Sequence, residues 1–177
     1  KMKTKSLRPV VLFLVTLLLL TSSACGSNKS TPEATIIVPV EPLPNFDCTT
    51  VTDVPQTECQ ALLMLYSTTN GDGWLNKTGW MESTTIGDWY GVKLTGGHIS
   101  SINLSQNQLS GYIPAEIGNL SYLSYLDLSN NALTGNIPSE LGSLSNLKTL
   151  ILSFNQLTGE IPASLGNLSK LTLLYLS

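Results

Sequence analysis

The sequence predicts an α/β solenoid, a coil with a parallel β-sheet along its concave face and a helical cap at its N-terminal end. Three observations predict it. A pattern recurs every 24 residues from Ile99 onward, an aromatic-rich segment with one amphipathic helix precedes it, and charged residues make up only 12% of the chain, against ~25% in an ordinary soluble domain. The 177 residues hold about one domain by the usual prior of ~100–200 residues per domain.

Residues 1–25 have the form of a secretion signal. Four of the nine basic residues, Lys1, Lys3, Lys5 and Arg8, precede the apolar run Val10–Leu20, and Thr21, Ser22, Ser23 and Ala24 lead to Cys25. The run is too short to span ~30 Å of hydrocarbon as a helix. Ser23-Ala24-Cys25-Gly26 resembles the lipobox of bacterial lipoproteins, although Ser22 stands where Leu is usual. The resemblance implies that Cys25 carries the lipid and that the protein sits in the cell envelope as a membrane-anchored lipoprotein; ordinary cleavage near Ala24 and an uncleaved anchor are the alternatives. Beyond this segment five Lys face twelve Asp and Glu, a net charge of −7. That balance argues against nucleic acid as a partner, because phosphate neutralisation needs a basic surface.

Residues 26–45 form a tether. Pro32, Pro39, Pro42 and Pro44 exclude a helix, and ~20 residues at ~3 Å each reach up to ~60 Å from a membrane. Three cysteines make an odd number. It is resolved if Cys25 is lipidated while Cys48 and Cys59 pair in an oxidising compartment, two buried thiols being the alternative.

Residues 46–98 form the capping domain. Asp53-Val54-Pro55-Gln56 predicts a helix start with the Asp53 carboxylate as N-cap. Cys59, Leu62, Leu63 and Tyr66 follow at i, i+3, i+4 and i+7, on one buried face. Asn70-Gly71-Asp72-Gly73 ends the helix as a turn; it lacks the repeated carboxylates and distal Glu of a calcium loop, so no metal is expected. Trp74, Trp80 and Trp89 are expected to plug the open end of the coil, a carbohydrate platform being the alternative.

Residues 99–177 hold three repeats and a truncated fourth. The period is seen in Leu104, Leu128, Leu152 and Leu176, in Asn107, Asn131 and Asn155, and in Gly111, Gly135 and Gly159. Leu126 and Leu128, like Leu150 and Leu152, alternate along a short strand into the interior, where each contributes ~1.5–3 kcal/mol. An Asn amide both donates and accepts, so successive Asn residues can satisfy backbone groups at the strand ends as a ladder.

The run Asn131-Ala132-Leu133-Thr134-Gly135-Asn136-Ile137-Pro138-Ser139-Glu140-Leu141-Gly142 resembles the plant-type leucine-rich repeat. The segment from Ala61-Leu62-Leu63 to Asp88-Trp89-Tyr90-Gly91-Val92 is similar to that family's N-terminal capping domain. Together they cover about residues 45–177. The cap departs at Gly87 and Leu94, where the family usually carries two cysteines; both are lost together, as a bonded pair would be.

The resemblance implies binding of peptides, proteins or glycans on the concave face. That face should present Asn103, Asp127, Ile151 and Tyr175 in one column, Ser101, Tyr125, Thr149 and Leu173 in the next, and Gln106, Asn130 and Phe154 past the strand ends. Asn103, Tyr125, Asp127, Ile151, Phe154 and Tyr175 are the candidate ligand-binding residues, for a protein or peptide with a glycan as the second ligand class. Strand propensity alone also accounts for Ile151, Phe154 and Tyr175.

No catalytic residues and no cofactor are expected, since no Ser, His and acid set and no phosphate-cradling glycine loop is visible. His98 is expected to be an exposed strand residue. The chain ends at Ser177 within a strand and starts with Lys1 before Met2, so it is expected to be incomplete. The alternative function is therefore a targeting or spacer region of a larger surface protein, whose catalytic or adhesion domain lies beyond residue 177.

Overall fold

The computed structural model describes residues 46–177. The signal segment, Cys25 and the tether lie outside the described residues. In chain order the elements are helix α1 (Gln56–Thr68) and strands β1 (Val92–Thr95), β2 (His98–Asn103), β3 (Ser110–Tyr112), β4 (Tyr125–Asp127), β5 (Ala132–Asn136), β6 (Thr149–Ile151), β7 (Gln156–Thr158) and β8 (Leu173–Tyr175). Each coil also carries a 3₁₀ turn, at Ala115–Asn119, Ser139–Ser143 and Ala163–Asn167.

The expected concave sheet is present, in the order β1-β2-β4-β6-β8. Its strands from β2 onward are parallel and step by one repeat, pairing Ile102 with Leu126, Leu126 with Leu150 and Leu150 with Leu174. Ile102, Leu126 and Leu150 are fully buried, as the period-2 geometry of a strand requires of its inward residue. A second parallel sheet, β3-β5-β7, lies on another side of the coil. The sequence reading placed strands on one side only, because these strands are three to five residues long and turn at most one apolar residue inward each, Leu133 in β5 and Leu157 in β7, too few to show a period.

Strand β1 was also not anticipated. It pairs antiparallel with β2 through a tight turn at Gly96-Gly97, where both residues hold positive φ, 60° and 77°. A two-residue hairpin turn of this hand requires such angles, and glycine adopts them without steric cost. The hairpin gives the concave sheet an antiparallel edge strand contributed by the cap.

The asparagine ladder is formed. Asn131 Oδ1 accepts from the backbone N–H of Asn107 and Leu109, both at 3.0 Å. Its Nδ2 donates to the carbonyl oxygens of Leu104 and Leu128, both at 2.9 Å. Asn155 repeats the arrangement one coil on, accepting from Leu133 N–H and donating to Leu128 and Leu152. At the other end the ladder starts in the cap, where Asn107 exchanges hydrogen bonds with the backbone of Asn76.

The cap closes the coil end with aromatics. Trp74, Trp80 and Trp89 are buried and form a chain of edge and tilted contacts with centroids 4.7 Å apart at each step. Their indole N–H groups donate to the carbonyl oxygens of Thr69, Tyr90 and Ser83. They plug the core, so the carbohydrate-platform alternative does not hold for these tryptophans. Cys48 and Cys59 form a disulfide, and Leu94 packs beside Gly87. Asp72 in the turn is engaged by the Tyr66 hydroxyl at 2.8 Å and by Lys77. These partners, Tyr66 first, hold its carboxyl below the ordinary carboxylate range.

One expectation about the helix start is corrected. The N-cap position is Pro55, with no side-chain cap. Asp53 instead accepts from the Gly87 N–H through Oδ2, tying the segment before α1 to the loop before β1. A carboxylate two residues further from the helix than the N-cap cannot reach its first amides well, and the Gly87 amide offers a better partner.

Candidate functional site: the concave face

The outward residues of the concave strands fall into the two columns expected. Ser101, Tyr125, Thr149 and Leu173 are paired in register, as are Asn103, Asp127, Ile151 and Tyr175. Parallel in-register strands stand ~4.8 Å apart, so an extended ligand lying across them meets one side chain from each coil in turn.

The columns differ in chemical availability. Asp127 is only 8% exposed. Its Oδ1 accepts from the Ser129 N–H at 3.0 Å and the Ser129 hydroxyl at 2.7 Å, and its Oδ2 accepts from the Tyr125 hydroxyl at 3.3 Å. Asn103 makes the same pair of bonds to Ser105. Both side chains therefore pin the chain as it leaves the strand, and the Asp127 carboxylate also orients the Tyr125 ring. Burial, then the Asp127 charge, pushes the Tyr125 phenol above its ordinary pKa, so it stays a neutral donor.

In the third coil this device is replaced. Ile151 stands where Asn103 and Asp127 stand in the earlier coils, and Phe154 takes the place of Gln106 and Asn130. All three of the latter hold left-handed φ, 55°, 56° and 56°, a conformation Asn tolerates and a bulky aromatic disfavours. Phe154 is 72% exposed and Tyr175 is also exposed. With Ser153 and Ser177 they line a shallow hollow of about 280 Å³.

A second hollow of about 520 Å³ opens at the hairpin end, between Gly91, Val92 and Lys93 on one side and Ser101, Asn103 and Tyr125 on the other. It adds Lys93 to the face, a cation the sequence reading missed because it stopped the columns at the first repeat. The signal was present: Val92-Lys93-Leu94-Thr95 ahead of Gly96-Gly97 is a hairpin arm. Among the described residues Lys93 has no carboxylate within ion-pair distance.

His98 differs from its expected state as an exposed strand residue. Its Nδ1 lies 2.7 Å from Glu58 Oε1 on α1, and Glu58 is 3% exposed. The other oxygen, Oε2, accepts from the Ile99 N–H at 2.7 Å, and the imidazole stacks on Tyr122 at 3.7 Å between centroids, nearly parallel. No local pattern announces this arrangement, since Glu58 and His98 are 40 residues apart.

The Leucine Rich Repeat family matches residues 98–120, 122–144 and 146–168. No curated protein matches the chain. Among solved structures, the crystal structure of PEPR1-AtPEP1 is 31% identical over 69% of this chain and 18% of that one, with a TM-score of 0.59. A chain of the BIR3–SERK2 complex from Arabidopsis thaliana is 30% identical over 66% of this chain and 65% of that one, TM-score 0.52. The LRR ectodomain of the receptor kinase SOBIR1 from Arabidopsis thaliana is 27% identical over 70% of this chain and 67% of that one, TM-score 0.58. The chain thus spans less than a fifth of the length of the first of these. No helix among the described residues is long and apolar enough to cross a membrane. Residues 98–168 are accordingly three leucine-rich repeats, and the fold is a leucine-rich-repeat solenoid resembling the SOBIR1 ectodomain.

Proposed function

We propose that this protein is a cell-envelope recognition module that binds a peptide or protein segment across its concave face. In this reading it is exported by residues 1–25, anchored through lipid on Cys25 and held away from the membrane by residues 26–45. It acts by binding and not by catalysis. The observation that carries the reading is the in-register column Asn103, Asp127, Ile151 and Tyr175 beside Ser101, Tyr125, Thr149 and Leu173. It offers an amide, a phenol oxygen fixed by its bond to Asp127 and free to accept, and apolar anchors at one strand spacing. Two of the similar structures contain recognition partners, PEPR1 with AtPEP1 and BIR3 with SERK2, and this supports a protein or peptide ligand.

Within the face, Tyr125, Ile151, Phe154 and Tyr175 are the anchors. Asp127 and Asn103 act mainly by holding the strand exits and, for Asp127, the Tyr125 ring. A rigid aromatic carries large contact area at low entropy cost, and such residues dominate the energetics of protein interfaces. Selection from a displayed library of linear peptides against the full chain tests this. Enriched peptides should lose at least tenfold in affinity for a Tyr125→Ala, Ile151→Ala, Phe154→Ala variant whose melting temperature is unchanged. Peptides that bind the folded variant equally well would overturn the assignment of the face.

A further inference from the structure

A third hollow, of about 350 Å³, lies at the opposite ends of the concave strands from Phe154, within the ~300–1,000 Å³ range of small-ligand sites. Its lining is chemically unlike the columns above. Two lysines, Lys148 and Lys170, converge on it from successive coils, and no carboxylate and no aliphatic side chain lines it. Neither lysine has an acidic partner within ion-pair distance among the described residues. In a mature segment of net charge −7, an unneutralised pair of cations is a local exception that favours a bound anion.

The remaining lining decides what kind of anion. The hydroxyls point their hydrogens inward. Ser124 donates to the Ser100 carbonyl oxygen, Ser100 to that of Lys93, and Thr95 to the Ser100 hydroxyl. Asn146 donates to the Ser121 carbonyl oxygen while accepting from Lys170. What Ser124 and Thr95 offer the hollow is therefore lone pairs, which repel a bare oxyanion and accept from a ligand's own hydroxyl groups. Tyr122 contributes a flat ring, 52% exposed, whose one face is covered by His98. His98 is fixed in turn by the buried Glu58. A braced aromatic of this kind stacks on the C–H face of a ring-shaped polyol.

From this combination we infer that the hollow is a binding site for an acidic saccharide, a sugar ring bearing a carboxylate. Lys148 and Lys170 take the charge, Ser124 and Thr95 accept from the sugar hydroxyls, and the Tyr122 ring supports the pyranose face. The arrangement also explains why a carboxylate is buried on α1: Glu58 holds His98, and His98 holds the platform. A peptide would find a single aromatic, Tyr122, and no aliphatic anchor in this lining, and inorganic phosphate would use the lysines alone.

Calorimetric titration of the full chain tests the inference with hexasaccharides of alginate, hyaluronan and galacturonan as probes. Cellohexaose, hexaglutamate and inorganic phosphate are the controls. The expected result is saturable binding of at least one uronate hexamer that weakens with salt, with no binding of cellohexaose. Lys148→Ala together with Lys170→Ala should abolish it, and Tyr122→Ser should weaken it at least tenfold, both without change in melting temperature. Failure of all three uronates to bind would overturn the proposal. So would equal binding of hexaglutamate or phosphate, which would reduce the site to charge attraction, or uronate binding unaffected by both variants.

Discussion

At Gly111 the first coil runs close against the end of α1. The Gly111 φ is 105°, and a Cβ there would run into the carbonyl oxygen of Thr68 at the end of α1. Gly135 occupies the same place one repeat later with φ 75°, but a Cβ there would make only an ordinary contact with Tyr112, at 3.7 Å. Gly111→Ala should therefore cost about 3 kcal/mol in chemical denaturation, because backbone must move as well as twist. Gly135→Ala should cost about 1 kcal/mol, from the left-handed conformation alone. The repeat pattern makes the two glycines look equivalent, and only the neighbour in space separates them. Tyr66 gives a second test at this scale. Burial, and then the hydrogen bond to Asp72, push its phenol well above its ordinary pKa of 10.0, so the folded state holds the proton more tightly than the unfolded state. That contribution is complete below pH ~10 and is lost as the pH rises through the folded-state value. Melting temperatures should fall between pH ~10 and ~12, and Tyr66→Phe should flatten the fall. Tyr125 titrates with the same sign and leaves a residual slope.

At the scale of elements, coil-to-coil register rests on the asparagine ladder. Removing the Asn131 amide orphans the buried N–H groups of Asn107 and Leu109 and the carbonyl oxygen of Leu104, while the Leu128 carbonyl oxygen keeps its bond from Asn155. Asn131→Ala should lower stability by about 3 kcal/mol and speed hydrogen exchange at the Asn107 and Leu109 amides. The same change at the exposed neighbour Asn130 should cost only about 1 kcal/mol, from its left-handed conformation alone. In the cap, Cys48 and Cys59 close a loop with a sequence separation of 11 residues, and replacing both by Ser should cost about 3 kcal/mol in the chain-entropy view. The ladder and this pair were readable from the sequence because each depends on spacing: a 24-residue step for the asparagines and cysteine parity for the bridge. The second sheet was not readable, since Ser110–Tyr112 and Gln156–Thr158 are three residues long and Leu157 alone turns inward, too little to leave a period-2 signal. The pairing of Glu58 with His98 was hidden for another reason. It joins α1 to β2 across the cap, and a lone Glu on a helix has the same sequence signature whether it is solvated or buried.

For the whole molecule, the solenoid converts a sequence period into a surface period. Every outward strand position becomes a column at one spacing, so the concave columns were legible residue by residue. Their energetic roles were not. Asp127 has the sequence signature of a ligand-facing carboxylate, but the structure spends both its oxygens on Ser129 and Tyr125. Lys93 enters the face only because the cap donates a strand to the sheet. Recognition across the columns and saccharide binding at the lysine end are physically separable, since the residues lining the two differ. The central claim is that a peptide or protein ligand lies across the parallel strands, and hydrogen exchange of the full chain with and without a selected peptide tests it most directly. Protection is predicted in segments Ser124–Asn130 and Lys148–Phe154, with β3, β5 and β7 unchanged. Protection confined to β3, β5 and β7, or to the cap, would contradict the claim.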